Sequence, residues 1–219
     1  MILITSEQRI HLLTHLSRYI RKASNAVWDV RLNINTRGRL RHDLDPDSHS
    51  YIGCAYTVIR RILDRLEMTE KDILVDIGCG KGRVVCCAAQ HHIRKVVGVE
   101  IHPKLCAIAR NNAKRLRGAK ASVEIVEAPA QDREVDYSEG TLFFIFQPFG
   151  PKTMAMVQEQ IRNTLSDNPR EIKLVYVNDR SQLHVLQGSG WLELIERWVP
   201  DQWSRLDNPV SFWRSIKTD

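Results

Sequence analysis

The chain has 219 residues, of which 43% are hydrophobic and 26% are charged. This length supports one domain with a full hydrophobic core, and the balance of residue types excludes disordered and fibrous proteins. The formal net charge is +6, with basic residues concentrated in the first 42 residues and over residues 110–120; such stretches either attract phosphates or an acidic protein or form a solvated surface.

The cysteines indicate neither disulfide bonds nor a structural metal site. There are five of them, and none forms a C-x-x-C pair, so we expect reduced thiols and a cytoplasmic protein. His91 and His92 follow Cys86 and Cys87 at a spacing typical of one helix with inward cysteines and outward histidines, and we predict no bound metal. No stretch approaches the roughly 18 apolar residues that span a bilayer, so we expect no membrane partner.

The chain opens with two helical patterns separated by a polar connector. Apolar residues recur at helical spacing over residues 5–30 and again over residues 51–67. The segment from Asn33 to Ser50 is polar and includes an Arg-Gly-Arg run, as is typical of a connector. We therefore predict an N-terminal helical arm with its connector over residues 1–50 and one domain over residues 51–219.

Downstream, short apolar segments alternate with helical patterns. The predicted strands are Ile73–Ile77, Lys95–Glu100, Ser122–Glu127, Thr141–Phe146 and Lys173–Val177. The predicted helices cover residues 83–91, 103–116, 151–165 and 181–188. This alternation predicts an α/β fold with a mostly parallel sheet and helices on both faces, and the almost wholly apolar fourth strand should be central. Two closing strands, Trp191–Trp198 and Val210–Ile216, indicate an antiparallel element at one edge.

The most informative segment is the glycine-rich sequence after the first strand, Asp76-Ile77-Gly78-Cys79-Gly80-Lys81-Gly82. Glycines at alternate positions allow a sharp turn and a close approach of the backbone to a ligand. The first N–H groups of the following helix face the same region. Asp76 can accept hydrogen bonds from a ligand ammonium group. Glu100 ends the next strand, where a carboxylate can accept both hydroxyls of a ribose.

A nicotinamide dinucleotide site is the main alternative for a glycine loop in this position. Its fingerprint is G-x-G-x-x-G, and counted from Gly78 and Gly80 the third glycine position holds Arg83. A large side chain there would obstruct the packing of helix on strand, and Asp76 would place negative charge near the pyrophosphate. Both features disfavour a nicotinamide oxidoreductase.

The pattern Asp-x-Gly-x-Gly-x-Gly, followed by an acid at the end of the second strand, resembles the class I S-adenosylmethionine-dependent methyltransferases. The resemblance covers roughly residues 50–180 and implies a Rossmann-like, seven-stranded sheet with an antiparallel last strand. It also implies S-adenosyl-L-methionine as the cofactor. The residues it places beside the methionine part are Asp76, Gly78, Cys79, Gly80 and Gly82.

The rest of the cofactor is assigned to residues outside the glycine loop. By the same resemblance, Glu100 would hold the ribose and Ile101 would pack on the adenine. Related members have a tyrosine upstream of the first strand that lies near the cofactor. Tyr51 and Tyr56 both fit that position, and we place Tyr51 in the site.

The segment after the third strand departs from the family pattern. Many relatives carry an aspartate there that bonds the adenine amino group, but this chain has Pro129 at that point. Proline offers no polar side chain. We therefore expect the adenine to meet the backbone of Ala130 or the side chain of Gln131 or Asp132.

The loop after the fourth strand, Phe146-Gln147-Pro148-Phe149-Gly150-Pro151, resembles the Asn/Asp-Pro-Pro-Tyr/Phe loop of family members that methylate nitrogen. In those members a side-chain oxygen and a backbone carbonyl accept hydrogen bonds from the target amine, and the aromatic ring packs on the acceptor. The resemblance gives Gln147 and Phe149 the task of positioning the acceptor, and it places Gln147 and Pro148 near the cofactor.

We predict an S-adenosylmethionine-dependent methyltransferase that acts on a nitrogen acceptor, on a protein or a small molecule. The alternatives are a nucleic-acid methyltransferase, chiefly of RNA, which the basic stretches favour, and a non-catalytic scaffold, which the intact glycine loop disfavours. Methyl transfer requires the protein mainly to align two reactants and exclude water. A base is needed if the acceptor enters protonated; Tyr51, His49 and His102 are the possible bases, and we assign none.

Overall fold

The computed structural model describes residues 19–20, 22–40, 46–200 and 208–216. Residues 22–32 form a helix, α1. The later helices are α2 (Tyr56–Arg65), α3 (Arg83–Ala88), α4 (Pro103–Arg115), α5 (Pro151–Asp167) and α6 (Leu183–Gln187). The strands are β1 (Ile73–Ile77), β2 (Lys95–Glu100), β3 (Ser122–Glu127), β4 (Leu142–Phe146), β5 (Lys173–Val177), β6 (Leu192–Trp198) and β7 (Val210–Ser215). Across these ranges, no helix is both long and apolar enough to cross a membrane.

Seven strands form one sheet in the order β3-β2-β1-β4-β5-β7-β6. The first five strands pair in parallel, whereas β7 runs antiparallel to β5 and β6. The predicted fold class is confirmed, including the antiparallel last strand and the N-terminal helices, and β4 is central as its apolar sequence predicts. The strand order reverses between β1 and β4, so their carboxyl ends form the switch point at which such sheets bind ligands.

Side chains of the central strands alternate between two apolar layers, one on each face of the sheet. On one face Leu74 and Phe144 pack with residues of α2, α3 and α4. On the other face Val75 and Phe143 pack with residues of α5 and α6. Both faces are covered, which is why these strands are apolar throughout. The packed layers fix the positions of the strand ends, from which the loops of the site extend.

The second helix begins later than predicted. Residues 51–67 have a helical apolar period, but Tyr51 pairs with Leu40 in an isolated β-bridge. Ala55, which precedes the helix, is still extended, with φ −67° and ψ 137°. The helix therefore starts at Tyr56. The period misleads because Tyr51 is buried by contact with the glycine loop and not by helix packing.

The N-terminal arm lies partly outside the described residues. The predicted helix over residues 5–30 is observed at residues 19–20 and 22–32, and positions 5–18 and 21 are not among those described. The helix ends at Asn33, whose φ of 59° is a left-handed conformation that asparagine tolerates. Leu32 joins the apolar layer that contains α2 and α3. The division of the chain at residue 50 stays a prediction.

A buried arginine ties the connector to the glycine loop. Arg83 begins α3, and its residue is only 6% exposed. Its Nε donates to Thr36 Oγ1 at 2.7 Å and its Nη1 donates to the Cys54 carbonyl at 2.6 Å. The guanidinium also lies 4.7 Å from the ring centroid of Tyr56. Thr36 in turn donates to buried Asp29 at 2.7 Å. The positive charge of Arg83 is thus linked to the negative charge of Asp29 through one hydroxyl.

We expect Arg83→Met to lower the free energy of unfolding by about 3 kcal/mol, because it leaves the buried Thr36 hydroxyl and Cys54 carbonyl without their donor and removes the positive charge nearest to this end of the Asp29 network. Urea denaturation measures this change. Arg94→Met is the matched control: Arg94 pairs with Glu139 at 2.9 Å, but both side chains are more than half exposed, so its loss should cost about 1 kcal/mol or less. Equal effects of the two substitutions would contradict a structural role for the buried network.

Candidate functional site

A cavity of about 550 Å³ opens at the carboxyl ends of β1, β2 and β4. Its volume is in the range of small-molecule and cofactor sites. The predicted site residues that line it are Tyr51, Asp76, Gly78, Cys79, Glu100, Ile101, Ala130, Gln131, Gln147, Pro148 and Phe149. Gly80 and Gly82 are not part of its wall. Residues from distant parts of the sequence thus meet at one opening.

Asp76 presents an unpaired carboxylate oxygen to this region. It lies near the end of β1 and is 3% exposed, and its Oδ2 is buried without a hydrogen-bond partner. Burial raises the pKa of Asp76 well above its ordinary value; the nearby Glu100 carboxylate raises it further, and the Val85 N–H lowers it. A buried carboxylate of this kind is incomplete without a cation or a donor group. A ligand ammonium group would supply both.

Glu100 is held in a fixed orientation at the end of β2. Its Oε2 accepts the backbone N–H of Gly80 at 2.8 Å, and its Oε1 accepts that of His102 at 2.9 Å. The residue is 6% exposed and lines the cavity. Each carboxylate oxygen can accept a second hydrogen bond. The pair of oxygens is therefore able to receive two hydroxyls, as the resemblance expects for a ribose.

The glycine loop is shaped by protein neighbours as much as by a ligand. A Cβ on Gly78 would lie 2.3 Å from the Cβ of Pro148, and one on Gly80 would lie 2.3 Å from ring carbons of Tyr51. Both glycines have positive φ, 77° and 55°. Gly82 instead allows α3 to approach α4, where an added Cβ would lie 3.1 Å from a side chain. The first two glycines therefore admit the two segments that cover the cavity.

The structure of the segment after β3 reduces the number of residues that could contact the adenine. Pro129, Ala130 and Gln131 line the cavity, whereas Asp132 does not and instead accepts a backbone N–H within its own turn. The Ala130 carbonyl already accepts the Tyr137 hydroxyl at 2.8 Å. Ala130 and Gln131 stay as the predicted adenine contacts.

The predicted acceptor loop has a strained backbone and a tethered side chain. Gln147 follows β4 with a φ of 39°, a conformation that is unfavourable for residues other than glycine. Its Oε1 accepts the side-chain N–H of Asn178, and its Nε2 lies 3.5 Å from Ser181 Oγ. Phe149 is 5% exposed and lines the cavity. Strain held by surrounding contacts is typical of functional loops.

The connector lies directly on this loop. The His49 N–H donates to the Pro148 carbonyl at 2.7 Å, and His49 Nδ1 lies 2.9 Å from the Gln147 carbonyl. Ser48 and Phe149 form an isolated antiparallel bridge. The end of the cavity at which we predict the acceptor is therefore built by two segments about 100 residues apart in the chain.

The three possible bases differ in their surroundings. The Tyr51 hydroxyl donates to the Thr36 carbonyl at 2.9 Å, and burial raises the pKa of Tyr51, so it stays protonated. His102 Nδ1 accepts a backbone N–H at the start of α4, and the residue does not line the cavity. His49 lines it, and because a carbonyl only accepts, its Nδ1 carries a proton that it donates to the Gln147 carbonyl. In the neutral ring the lone pair then lies on Nε2.

No metal site is formed by the part of the chain that the structure describes, where no three His, Cys, Asp or Glu side chains are placed to share an ion. The two histidines after α3 do not join the nearby cysteines, which are buried.

The sequence did not place Arg83 or Asn178 in the site and indicated His49 only as a possible base, although all three line the cavity. Arg83 is part of the glycine sequence itself but was weighed only as an obstacle to a dinucleotide. An asparagine directly after an apolar strand is a signal for a left-handed turn, which Asn178 adopts with a φ of 65°. The position of His49 follows from a strand-like pairing of the connector that no local pattern predicts.

The cavity residues fit S-adenosylmethionine. The unpaired oxygen of Asp76 suits the ammonium group, and the oriented Glu100 suits the ribose hydroxyls. The contacts of individual residues with the cofactor stay predictions.

Comparison with known proteins gives a consistent result. A model of the methyltransferase domain family matches residues 74–185. A protein-lysine N-methyltransferase of Saccharolobus islandicus is 34% identical over 97 residues, which are 44% of this chain and 58% of that protein. The ribosomal protein L11 methyltransferase of Escherichia coli is 33% identical over 73 residues, which are 33% of this chain and 24% of that protein. The chain thus spans less than two thirds of the length of either relative.

A solved structure extends the similarity to most of the chain. The RNA methyltransferase of Salinibacter ruber, in complex with S-adenosyl-L-homocysteine, is 28% identical with a TM-score of 0.50 and covers 77% of this chain and 98% of its own. The family match spans half of the chain, and the sheet order and glycine loop agree with it. The chain therefore belongs to the methyltransferase domain family and carries a class I S-adenosylmethionine-dependent methyltransferase domain.

Proposed function

We propose that the chain methylates a nitrogen acceptor on a protein or a small molecule. The observation that carries the proposal is the side-chain amide of Gln147, which lines the cavity directly after β4 beside buried Phe149. Amide oxygens accept N–H groups and cannot remove a proton, so they suit an amine better than an alcohol, which needs a base to become a nucleophile. The similarity to a protein-lysine N-methyltransferase supports the same acceptor class.

When bound, S-adenosylmethionine supplies a methyl group on a positively charged sulfur. The chain itself has to align the acceptor and exclude water, and alignment alone can contribute about 7–11 kcal/mol. Gln147 orients the N–H groups of the acceptor, and Tyr51 and Pro148 cover the glycine loop from the two sides. We assign to His49, which lines the cavity, the role of receiving a proton from an acceptor that enters as an ammonium ion.

Labelled S-adenosylmethionine incubated with the protein and fractionated cell extract tests this function. We expect label in a protein or small-molecule fraction that survives mild base, because N-methyl groups are stable there and methyl esters are not. Label that is released by base would contradict a nitrogen acceptor, and absence of any transfer would favour a non-catalytic scaffold.

We expect Gln147→Ala to lower turnover by roughly 10- to 100-fold through misplacement of the acceptor. The affinity for S-adenosylhomocysteine, measured by calorimetry, should change less than about twofold, because the cofactor's charged groups are assigned to Asp76 and Glu100. Gln187→Ala is the control, since Gln187 is exposed at the end of α6. Unchanged turnover in the Gln147 variant would make the loop purely structural.

RNA is the second candidate acceptor, and two observations favour it. The solved structure described above is an RNA methyltransferase, and arginines flank an aromatic ring near α1: Arg31 and Arg60 lie 5.2 Å and 4.4 Å from the Trp28 ring centroid. Binding of RNA to basic residues releases counterions, so its affinity should fall steeply with salt. RNA binding that weakens with salt, together with label in the RNA fraction, would replace the proposed acceptor class.

A further inference from the structure

The carboxyl end of β5 carries a polar side chain that neither the fold nor the cofactor explains. Asn178 directly follows β5, lines the cavity and reaches the acceptor loop, where its Nδ2 donates to Gln147 Oε1. Its own Oδ1 is shielded from solvent and has no hydrogen-bond partner among the described residues. A buried acceptor without a donor destabilises the fold. Its presence beside a cavity therefore points to a donor that arrives with a ligand.

The backbone around Asn178 is fixed from several sides. Its φ is 65°, and its N–H donates to the Pro209 carbonyl at 2.7 Å. The next residue, Asp179, is fully buried and forms a bidentate ion pair with Arg197, with N–O distances of 2.8 and 2.9 Å. The side chain of Asn178 thus extends from a turn that is tied to both neighbouring segments. Fixed supporting contacts of this kind are what precise ligand positioning requires.

Two left-handed residues, Gln147 and Asn178, follow adjacent central strands and join side chains across the end of the cavity. The hydrogen bond orients both amides at once. It uses the Asn178 N–H as donor, and so leaves the Asn178 oxygen as the acceptor group. A charged donor held there would be shielded from water, which strengthens the interaction.

We propose that Asn178 is an acceptor-binding residue: its Oδ1 accepts an N–H of the incoming amine, and its Nδ2 holds Gln147 in the orientation that serves the same amine. This inference rests on the proposed function. It makes the amide pair an element that favours an amine over a thiolate or a phenolate, because neither of these brings a hydrogen-bond donor to the unpaired oxygen.

Sinefungin tests the proposal without knowledge of the acceptor. In this cofactor analogue a carbon with an amino group replaces the sulfur and its methyl, so a second ammonium group stands where the methyl would be transferred. S-Adenosylhomocysteine lacks that group and is the reference ligand. The measured quantity is the ratio of the two dissociation constants by calorimetry, and we expect wild-type protein to prefer sinefungin by about 10-fold or more, the effect of one hydrogen bond to a charged group.

Asn178→Gly removes the amide and keeps a residue that tolerates positive φ. We expect it to lose the sinefungin preference, by about 10-fold, while its affinity for S-adenosylhomocysteine stays as in wild type, which also shows that the variant is folded. Asn178→Asp keeps an acceptor oxygen and should retain the preference. The matched control is Asn33→Gly, since Asn33 has a φ of 59° but bonds the Arg115 carbonyl outside the cavity.

The outcomes separate the two proposals. If Asn178→Gly keeps the wild-type ratio, or wild type shows no preference for sinefungin, the role of Asn178 is overturned and the methyltransferase function stands. If wild type binds neither ligand, the proposed function itself fails. If Asn33→Gly also loses the preference for sinefungin, the effect comes from the change in backbone conformation, and the role of the Asn178 amide is overturned.

Discussion

Asp76→Asn should weaken the binding of S-adenosylhomocysteine by roughly 100-fold and yet make the free protein more stable. The loss follows because the substitution removes the buried negative charge that we assign to the ligand ammonium group, an interaction of about 3 kcal/mol. The gain follows because Asp76 is 3% exposed with an unpaired oxygen, and its charge is unfavourable when no ligand is bound. We expect a rise of about 1 kcal/mol in the free energy of unfolding.

The pH dependence of stability and of ligand affinity provides an independent test of the role of Asp76. Burial, followed by the Glu100 charge, raises the pKa of Asp76 in the free protein. The folded free protein therefore binds a proton more tightly than the unfolded chain, and the stability due to this group is lost as pH rises from the unfolded toward the folded pKa. Ligand binding has the opposite dependence, because an ammonium group needs the ionised carboxylate. Affinity should rise with pH until Asp76 is ionised.

Calorimetry measures the affinity for S-adenosylhomocysteine, and urea denaturation measures the free energy of unfolding. Both are measured between about pH 5 and 9 for wild type and for Asp76→Asn. The variant should show neither the rise in affinity nor the loss of stability that belong to Asp76. Gln187→Ala, at an exposed position outside the cavity, is the control, and it should change neither quantity at any pH. Equal affinity of wild type and Asp76→Asn at all pH values would remove Asp76 from the cofactor site.

The parts of the site that could be predicted from sequence are those formed by continuous segments. Asp76 and the glycines share one strand-turn-helix unit, and Glu100 ends the neighbouring strand, so β-strand periodicity and strand order suffice to bring them together. The sheet was predictable for the same reason, since each strand is a short apolar run between turns. In the sheet and the glycine loop, the local sequence pattern and the overall fold agree.

The parts that could not be predicted depend on contacts between distant segments. Tyr51 lies in a segment with a helical apolar period, but it is held outside the helix by its contact with Gly80, its bridge to Leu40 and the hydrogen bond of its hydroxyl to the Thr36 carbonyl. His49 is held on the acceptor loop by a backbone hydrogen bond to Pro148. Backbone groups are the same in every residue, so such a bond leaves no signal in the sequence. Asn178 is recognisable only once β4 and β5 are known to be neighbours. Tertiary contacts of this kind override local propensity and leave no period in the sequence.

These distant contacts also explain how the connector takes part in the site. Thr36 of the connector accepts a hydrogen bond from Arg83 at the end of the glycine loop, and the connector leads directly into Tyr51, which packs on Gly80. The connector meets the acceptor loop through His49. A substitution in the glycine loop should therefore affect the connector before it affects the sheet. This coupling can be tested at Gly80, where an added Cβ would collide with the Tyr51 ring.

Gly80→Ala should lower cofactor affinity by about 100-fold and the free energy of unfolding by about 3 kcal/mol. Two effects combine. The alanine would sit at a φ of 55°, which costs about 1–2 kcal/mol for a residue with a Cβ. Its Cβ would also lie 2.3 Å from two ring carbons of Tyr51, so the ring must leave its place on the loop. The displaced ring uncovers the cavity and moves the N–H that orients Glu100.

A double-mutant cycle separates the two effects. Tyr51→Ala removes the ring, so in its background Gly80→Ala should cost only the backbone strain, and the two substitutions together should destabilise by about 1–3 kcal/mol less than the sum of the single changes. Gly190→Ala gives the strain alone, because Gly190 has a φ of 73° and an added Cβ there meets no atom within 4 Å. Additive effects in the cycle would mean that the Tyr51 ring does not pack on Gly80, and the assignment of Tyr51 to the wall of the cofactor cavity would then be wrong.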